Sequence, residues 1–196
     1  MITPRYFIIY KPFEMLSQFT KEGTHKTLAN LSYSFPKDAY PVGRLDADSE
    51  GLLLLTNDKM LNHILLDPKF KHNRTYLAQV EGAFSDAAKS KLEKGVAITV
   101  DGKEYKTLPA KIVLINEPAL PERNPPIRFR KNIPTSWIEL TLQEGKNRQV
   151  RKMTASVGFP TLRLVRIGIE KISIGKMLPG EVREIKKEEI NSLLNF

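Results

Sequence analysis

The run of leucines from Leu52 to Leu55 most constrains the fold of this chain. A short stretch of consecutive apolar residues is typical of a strand that is buried on both faces of its sheet. The segment in front of this run, Gly43 to Gly51, is polar and carries the charged side chains of Arg44, Asp46, Asp48 and Glu50. We therefore expect a polar loop whose backbone is held at both ends by buried strands.

The rest of the chain contains more strand patterns than helix patterns, without regular alternation of strand, helix and strand. Alternating or continuous apolar patterns predict strands at 5–12, 15–19, 52–56, 74–81, 96–100, 105–115, 137–142, 161–169, 172–174 and 182–185. Helical spacing predicts helices at 85–92, 147–157 and 188–194, and residues 28–35 are ambiguous, with a short helix as one interpretation. These patterns predict an α+β fold around a largely antiparallel sheet.

Local capping and turn residues place several of these elements. Asp58 is a suitable cap for a helix that carries Met60, Leu61, Ile64 and Leu65 on one face and stops at Pro68. Asp101-Gly102 is a strong signal for a hairpin turn. In the helix predicted for 147–157, Arg148, Arg151 and Lys152 fall on one cationic face beside the apolar Val150, Met153 and Val157.

Composition excludes several classes of site. The chain has no Cys, which rules out disulfides, a cysteine nucleophile and thiolate zinc sites. We expect its three His residues, His25, His63 and His72, to be surface or loop residues, because they lack the pairing of a metal cluster. No apolar run approaches the length of a membrane span, so we expect a cytoplasmic protein.

The net charge of +9 is concentrated in one part of the chain. Residues 121–187 carry fifteen Lys or Arg against six Asp or Glu, whereas the remaining residues carry sixteen of each sign. Within this part, residues 116–135 hold five prolines and the basic Arg123, Arg128, Arg130 and Lys131, which predicts an exposed insertion between two strands. Such asymmetry favours a phosphate-binding surface, although a generally basic surface is the simpler alternative.

The acidic loop has two ordinary interpretations. Asp, Ser and Glu are common loop formers and helix caps, so Asp46 to Glu50 fits a solvated turn. The spacing of Asp46, Asp48 and Glu50 also matches the start of a calcium loop. Such a loop needs a bidentate Glu at its twelfth position, which is Asn57 here, and leucines occupy the positions of further ligands.

Three separated motifs resemble the RsuA type of RNA pseudouridine synthase. The first is GRLDADSEGLLLLTND, residues 43–58, and the second is RTYLAQV, residues 74–80. The third is EGKNRQVRKM, residues 144–153, followed by TLRLVR, residues 161–166. The strand before Pro12 is similar to the opening strand of that family. Residues 123–128 and 133–137 look most like a group within it that acts on the large ribosomal subunit.

This resemblance implies a set of roles and an architecture. It makes Asp46 the catalytic carboxylate, Tyr76 the active-site aromatic residue, Arg151 the basic residue and Leu162 an apolar wall, with Arg44 filling the space left by an extruded base. It also implies a single catalytic domain over residues 1–196, made of two closely joined halves, with the active-site cleft in the middle of the sheet. Because the opening strand lies within the first ten residues, we expect no N-terminal S4 domain.

The expected partner is ribosomal RNA, 23S rRNA in particular. Arg148 stands where many relatives have His, so we expect Lys146, Arg148 and Lys152, with the basic insertion, to contact RNA rather than to act in catalysis. We expect a monomer that needs no cofactor and no metal. Two alternatives remain at this point: a non-catalytic ribosome assembly factor on the same scaffold, and a carboxylate-dependent nuclease, which would need clustered metal-binding acids.

Overall fold

The computed structural model describes residues 3–127, 130 and 132–194. The chain divides into two compact units, of which unit 1 comprises residues 1–72 and 166–196 and unit 2 comprises residues 73–165. Strand β11, Thr161–Ile169, contributes its first five residues to unit 2 and the remainder to unit 1. No helix in the described part of the chain has the length and apolar character that crossing a membrane requires.

Unit 1 is built around the leucine run. Its strands are β1 (Tyr6–Lys11), β2 (Met15–Leu16), β3 (Lys26–Thr27), β4 (Tyr40–Pro41), β5 (Glu50–Thr56), the end of β11, β12 (Ile172–Ser173) and β13 (Val182–Ile185). Its α-helices are α1 (Lys59–Leu66) and α4 (Lys187–Leu194), and Leu28–Asn30 and Pro68–Phe70 form short 3-10 turns. The sheet order in this unit is β13, β1, β5, β11, with β4 beside β5 and β12 beside β11.

Strand β5 is buried along its whole length, as the leucine run predicts. It pairs antiparallel with β1, so that Leu53 lies opposite Ile9 and Leu55 opposite Phe7. These four residues belong to one hydrophobic cluster together with Met15, Leu28, Leu31 and Ala39. Burial on both faces explains why the apolar residues of β5 are consecutive and do not alternate with polar ones.

Unit 2 consists of a second antiparallel region and two helices. Its elements are β6 (Arg74–Glu81), α2 (Asp86–Glu93), β7 (Ala97–Val100), β8 (Lys103–Lys106), β9 (Lys111–Ile115), β10 (Thr135–Leu142), α3 (Gln149–Ser156) and the start of β11. The sheet order is β11, β6, β10, β9, and β7 and β8 form a separate hairpin. Helix α2 packs on β9 and α3 packs on β7.

The predicted local signals are confirmed where they depend on adjacent residues. The Asp58 carboxylate accepts hydrogen bonds from the backbone N–H groups of Met60 and Leu61, and Ser85 caps α2 in the same way. Asp101 and Gly102 adopt φ values of 49° and 76°, which is the left-handed geometry that a tight hairpin turn requires.

Three local predictions are wrong. Met60 is 73% exposed, so only Leu61 and Leu65 of its proposed face are buried. The strand predicted for 105–115 is interrupted at 107–110, where Pro109 cannot donate to a ladder, and β8 and β9 are separate. His72 lies in the loop before β6, as expected, and is buried there, with its Nδ1 3.3 Å from Glu170 Oε1. Arg148 is not on the cationic face, because it precedes α3 in a left-handed conformation with φ of 51°.

Candidate active site

The Asp46 loop, residues 43–51, follows β4, ends in the first two residues of β5 and is fixed through its backbone. Leu45 is buried, and the Ser17 hydroxyl donates to its carbonyl oxygen at 2.8 Å while accepting from its N–H at 3.0 Å. The N–H of Ser49 donates to the Asp46 carbonyl at 3.0 Å and closes a turn. Asp46 itself is half-buried. The carboxylate therefore stands on a constrained turn, which the simple interpretation as a solvated loop does not predict.

Lys11 holds the other side of this loop. Its Nζ lies 2.9 Å from the Pro12 carbonyl, 2.6 Å from that of Met15 and 3.4 Å from that of Ala47. The N–H of Glu14 also donates to the Ala47 carbonyl, at 2.8 Å. Lys11 is fully buried although it is charged in its ordinary state. The residues on both sides of Asp46 are thus hydrogen-bonded to groups that follow β1.

The electrostatics of Lys11 reflect a balance between burial and acidic neighbours. Burial lowers the pKa of its ammonium group from 10.5 to about 7, while Glu50, Asp48 and Asp46 act in the opposite direction. The sequence placed Lys11 at the end of the first strand but gave no reason to join it to the Asp46 loop. The sequence feature that marks this position is the Lys11-Pro12 pair, because the proline ends the strand before the chain reaches Met15.

The loop enters β5 through a close approach of two backbones. Gly51 has φ of 100°, and a Cβ atom there would collide with the carbonyl oxygen of Arg166 in β11. The Nε of Arg166, which is buried, donates to the Leu52 carbonyl at 2.7 Å. Only glycine satisfies both the positive φ and the short separation. This junction fixes the point at which the Asp46 loop joins the sheet of unit 1.

The calcium-loop interpretation conflicts with this geometry. A twelve-residue calcium loop would extend from Asp46 to Asn57, but Glu50–Thr56 is an extended strand. Across the described residues, no group of three or more His, Asp or Glu side chains is arranged to hold a metal ion. Arg44 is exposed at the start of the loop, next to Gly43, whose φ is 71°.

Unit 2 brings three of the predicted residues onto neighbouring elements. Tyr76 lies in β6, opposite Leu140 of β10, and is 9% exposed. Arg151 lies in α3, where its Nη1 donates to the carbonyl of Thr161 at 3.2 Å. Thr161 directly precedes the half-buried Leu162 in β11, and β11 is the sheet neighbour of β6. The Arg151 guanidinium is therefore held beside the strand that carries Leu162.

The loop before α3 is organised by a buried carboxylate. Glu144 accepts hydrogen bonds from the Tyr105 hydroxyl, the Leu108 N–H and the Gln149 side-chain amide. The Gln149 side-chain oxygen in turn accepts from the N–H of Lys146 at 2.9 Å. This turn, and not an extra helical turn, explains why α3 begins at Gln149. Sequence reasoning missed Glu144, whose partners in β8 and after it are 36 or more residues away.

The predicted RNA contacts around α3 have different surroundings. Lys146 is exposed, and its Nζ lies 4.8 Å from the centre of the Tyr105 ring. Lys152 Nζ donates to the Asn147 side-chain oxygen at 3.2 Å. Arg148 is exposed at the N-cap of α3. Within the described part of the chain, these two lysine ammonium groups thus contact an aromatic ring and an amide oxygen, which carry no compensating charge.

The Pro-rich segment, residues 116–134, is irregular where it is described, and none of its described residues is buried. Arg123 donates to the carbonyls of Pro125 and Pro126, and Arg130 forms an ion pair with Glu81 at 3.0 Å. The buried Arg163, next to Leu162 in β11, donates to the Pro121 carbonyl at 2.8 Å. The predicted contacts Arg128 and Lys131 lie outside the described residues.

Comparison with known proteins agrees with these features. A family model described as RNA pseudouridylate synthase matches residues 5–156. The chain is 50% identical over 182 residues to the ribosomal large subunit pseudouridine synthase E of Vibrio parahaemolyticus, covering 93% of this chain and 74% of that protein. It is 45% identical over 177 residues to the protein of the same name from Xanthomonas campestris pv. campestris, covering 90% of this chain and 92% of the relative.

The fold also matches a solved crystal structure of a pseudouridylate synthase. The TM-score is 0.79 at 24% identity, and the match covers 98% of this chain and 75% of that chain. This likeness confirms the predicted α+β fold with its mixed, mostly antiparallel sheet. Together with the family match over most of the chain and the 50% identity, it leads to one conclusion. The chain belongs to the RNA pseudouridylate synthase family.

Proposed function

We propose that this protein isomerises uridine to pseudouridine in the ribosomal RNA of the large subunit, with Asp46 as the catalytic carboxylate. The observation that carries the substrate class is 45–50% identity, over about nine-tenths of the chain, to relatives named ribosomal large subunit pseudouridine synthase E. The constrained Asp46 loop supports the assignment of the carboxylate, because catalysis needs a group held in a defined direction.

The reaction breaks the N1–C1′ bond of uridine, turns the uracil, and forms a C5–C1′ bond. The proton on C5 is lost and N1 gains one, so the product is an isomer and no net oxidation or reduction occurs. The bond changes therefore require no redox cofactor and no nucleotide. A carboxylate suits the first step either as a nucleophile at C1′ or as a base at C2′.

Asp46 serves this step in its ionised form. A nearby cation attracts a carboxylate and helps to hold its direction through a charge-assisted contact. In unit 1 the Lys11 amine, in its protonated form, interacts electrostatically with Asp46, Asp48 and Glu50. Arg151 is a second cation in the proposal, as the resemblance implies.

Tyr76, Leu162 and Arg44 handle the base. Tyr76 presents an aromatic face for the detached uracil, and its hydroxyl assists removal of the C5 proton. Leu162 supplies an apolar wall. A uridine within folded RNA must leave its stack to react, which costs a few kcal/mol, and Arg44 occupies the space that the base leaves. Lys146, Arg148 and Lys152 bind flanking phosphates.

Tritium release tests this function directly. The reaction removes the C5 hydrogen, so large-subunit rRNA labelled with [5-³H]uridine and isolated from a strain lacking this protein should release tritium to water when the protein is added. Mapping pseudouridine in the product identifies the position. Tight RNA binding by the wild-type protein without tritium release would instead support a non-catalytic assembly factor.

A further inference from the structure

Ser17 makes two backbone contacts through a single side-chain atom. Its Oγ donates to the carbonyl of Leu45 at 2.8 Å and accepts from the N–H of the same residue at 3.0 Å. Both residues are buried, and they lie 28 positions apart in the chain. A hydroxyl can make this reciprocal contact because it has one donor hydrogen and two acceptor lone pairs.

The contact of Ser17 matters because Leu45 lies next to Asp46 in the chain. Leu45 directly precedes Asp46, so its carbonyl belongs to the peptide unit that leads into Asp46. Holding both the N–H and the carbonyl of Leu45 restricts rotation on each side of its Cα. Beyond Asp46, the Ala47 carbonyl is held by Lys11 and by the Glu14 N–H. The backbone is therefore hydrogen-bonded on both sides of Asp46, and Ser17 makes the contact on the N-terminal side.

We propose that Ser17 is a positioning residue that sets the direction of the Asp46 carboxylate through the Leu45 backbone. This inference rests on the proposed function of Asp46. Ser17 acts on the peptide chain and does not contact RNA in this proposal. Its loss should therefore reduce turnover of bound substrate while leaving RNA binding unchanged, since a displacement of about 1 Å at a reacting group can reduce a rate by about 10²-fold.

A matched control exists at the other end of β5. The hydroxyl of Thr56 is also buried in unit 1, where it donates to the Arg5 carbonyl at 2.7 Å and accepts from the Asp58 N–H at 3.0 Å. Ser17 and Thr56 thus perform the same kind of backbone bridging. They differ in that only the Ser17 bridge ends beside Asp46.

The experiment compares Ser17→Ala and Thr56→Val in tritium release and in RNA binding, at a temperature where circular dichroism shows both variants folded. We expect kcat to fall by about 10- to 100-fold in Ser17→Ala with KM within twofold, and to stay within twofold of wild type in Thr56→Val. Ser17→Cys, which retains a weak donor and acceptor, should be intermediate and also serves if the alanine variant does not fold.

Two results would overturn the proposal. The first is a kcat within twofold of wild type for folded Ser17→Ala or, failing that variant, for Ser17→Cys. The second is an equal loss of kcat in Thr56→Val, which would make the effect one of general stability. If wild-type protein releases no tritium, the proposed function fails and Ser17 loses its role with it, whereas an active wild type with an active Ser17→Ala removes only the inference about Ser17.

Discussion

The Asp46 loop and the Pro-rich segment are both irregular and rich in charge, but the protein holds a different part of each. In the loop it holds the backbone, and in the Pro-rich segment it holds arginine side chains. In the Asp46 loop, the neighbouring elements hold the backbone through Ser17 and Lys11. In the Pro-rich segment, the described arginines bind the protein itself, as Arg123 does with two carbonyls and Arg130 with Glu81. A charge visible in the sequence is therefore not equivalent to a charge available to a ligand.

The largest effect should come from the carboxylate that the first region holds. Asp46→Asn preserves shape and removes the negative charge, so turnover should fall by at least about 10³-fold while RNA affinity changes by less than twofold. Single-turnover tritium release and filter binding measure the two quantities. Asp48→Asn is the matched control within the loop and should retain most activity. Appreciable product from Asp46→Asn would remove Asp46 from its proposed role.

Substitutions of Tyr76 test whether unit 2 takes part in the reaction or only binds the substrate. Tyr76→Phe keeps the ring and loses the hydroxyl, so it should slow the loss of the C5 proton by about 10²-fold and allow an enzyme–RNA complex to accumulate. Tyr76→Ala should weaken substrate binding as well. Both effects are measured by tritium release and by the amount of RNA retained on the protein after denaturation.

Tyr105→Phe provides the control for that series. The Tyr105 hydroxyl is also in unit 2 and donates to Glu144. Its loss should lower the free energy of unfolding by about 1 kcal/mol and leave the rate of bound substrate unchanged. Full activity in Tyr76→Phe would leave stacking as the only role of Tyr76.

Lys11 makes the stability of unit 1 depend on pH. Below pH 7 its amine is protonated in both the folded and the unfolded states. Between about pH 7 and its ordinary pKa near 10.5, the unfolded chain binds the proton that the folded protein has released. The free energy of unfolding should therefore rise with pH in this window, by up to about 1.4 kcal/mol per pH unit.

Urea denaturation of wild type and Lys11→Met at pH 7 and pH 9 isolates this contribution. The difference in free energy of unfolding between the two proteins should shift in favour of wild type at pH 9, because methionine has no proton to release. Tyrosine ionisation cancels in this comparison, because both proteins contain the same six tyrosines. A difference that does not change with pH would mean that Lys11 stays protonated beneath the Asp46 loop.

Whether sequence analysis predicted a contact depended on how far apart the two residues lie along the chain. The caps at Asp58 and Ser85 and the turn at Asp101 were predicted correctly, because each involves residues within three positions. Lys11 and Ser17 escaped prediction because the backbone atoms they hold lie 36 and 28 positions away. The contact of the loop residue His72 with Glu170 was not predicted for the same reason, since Glu170 stands far along the chain.

The three motifs predicted the family and not individual contacts. They identified the family from the order of residues, but the geometry around each residue depends on contacts that the motifs do not contain. Arg148 illustrates this limit. It lies within the third motif and at helical spacing from Arg151, yet the Glu144–Gln149 hydrogen bond closes a turn and leaves Arg148 outside the helix. Periodicity alone could not show where the helix begins.

The smallest expected effect compares a cation that contacts a neutral side chain with a cation that is paired with a carboxylate. Each phosphate contact that is lost should reduce the log–log slope of RNA affinity against salt by about 0.7–0.9. Lys152 contacts the neutral Asn147, whereas Arg130 is paired with Glu81. Lys152→Gln should therefore lower the slope by nearly the full amount, equivalent to about a threefold change in affinity between 50 and 200 mM salt. Arg130→Gln should change it much less. Filter binding across this salt range measures both, and a larger slope change in Arg130→Gln would show that RNA displaces Glu81 and that the Pro-rich segment does bind phosphate.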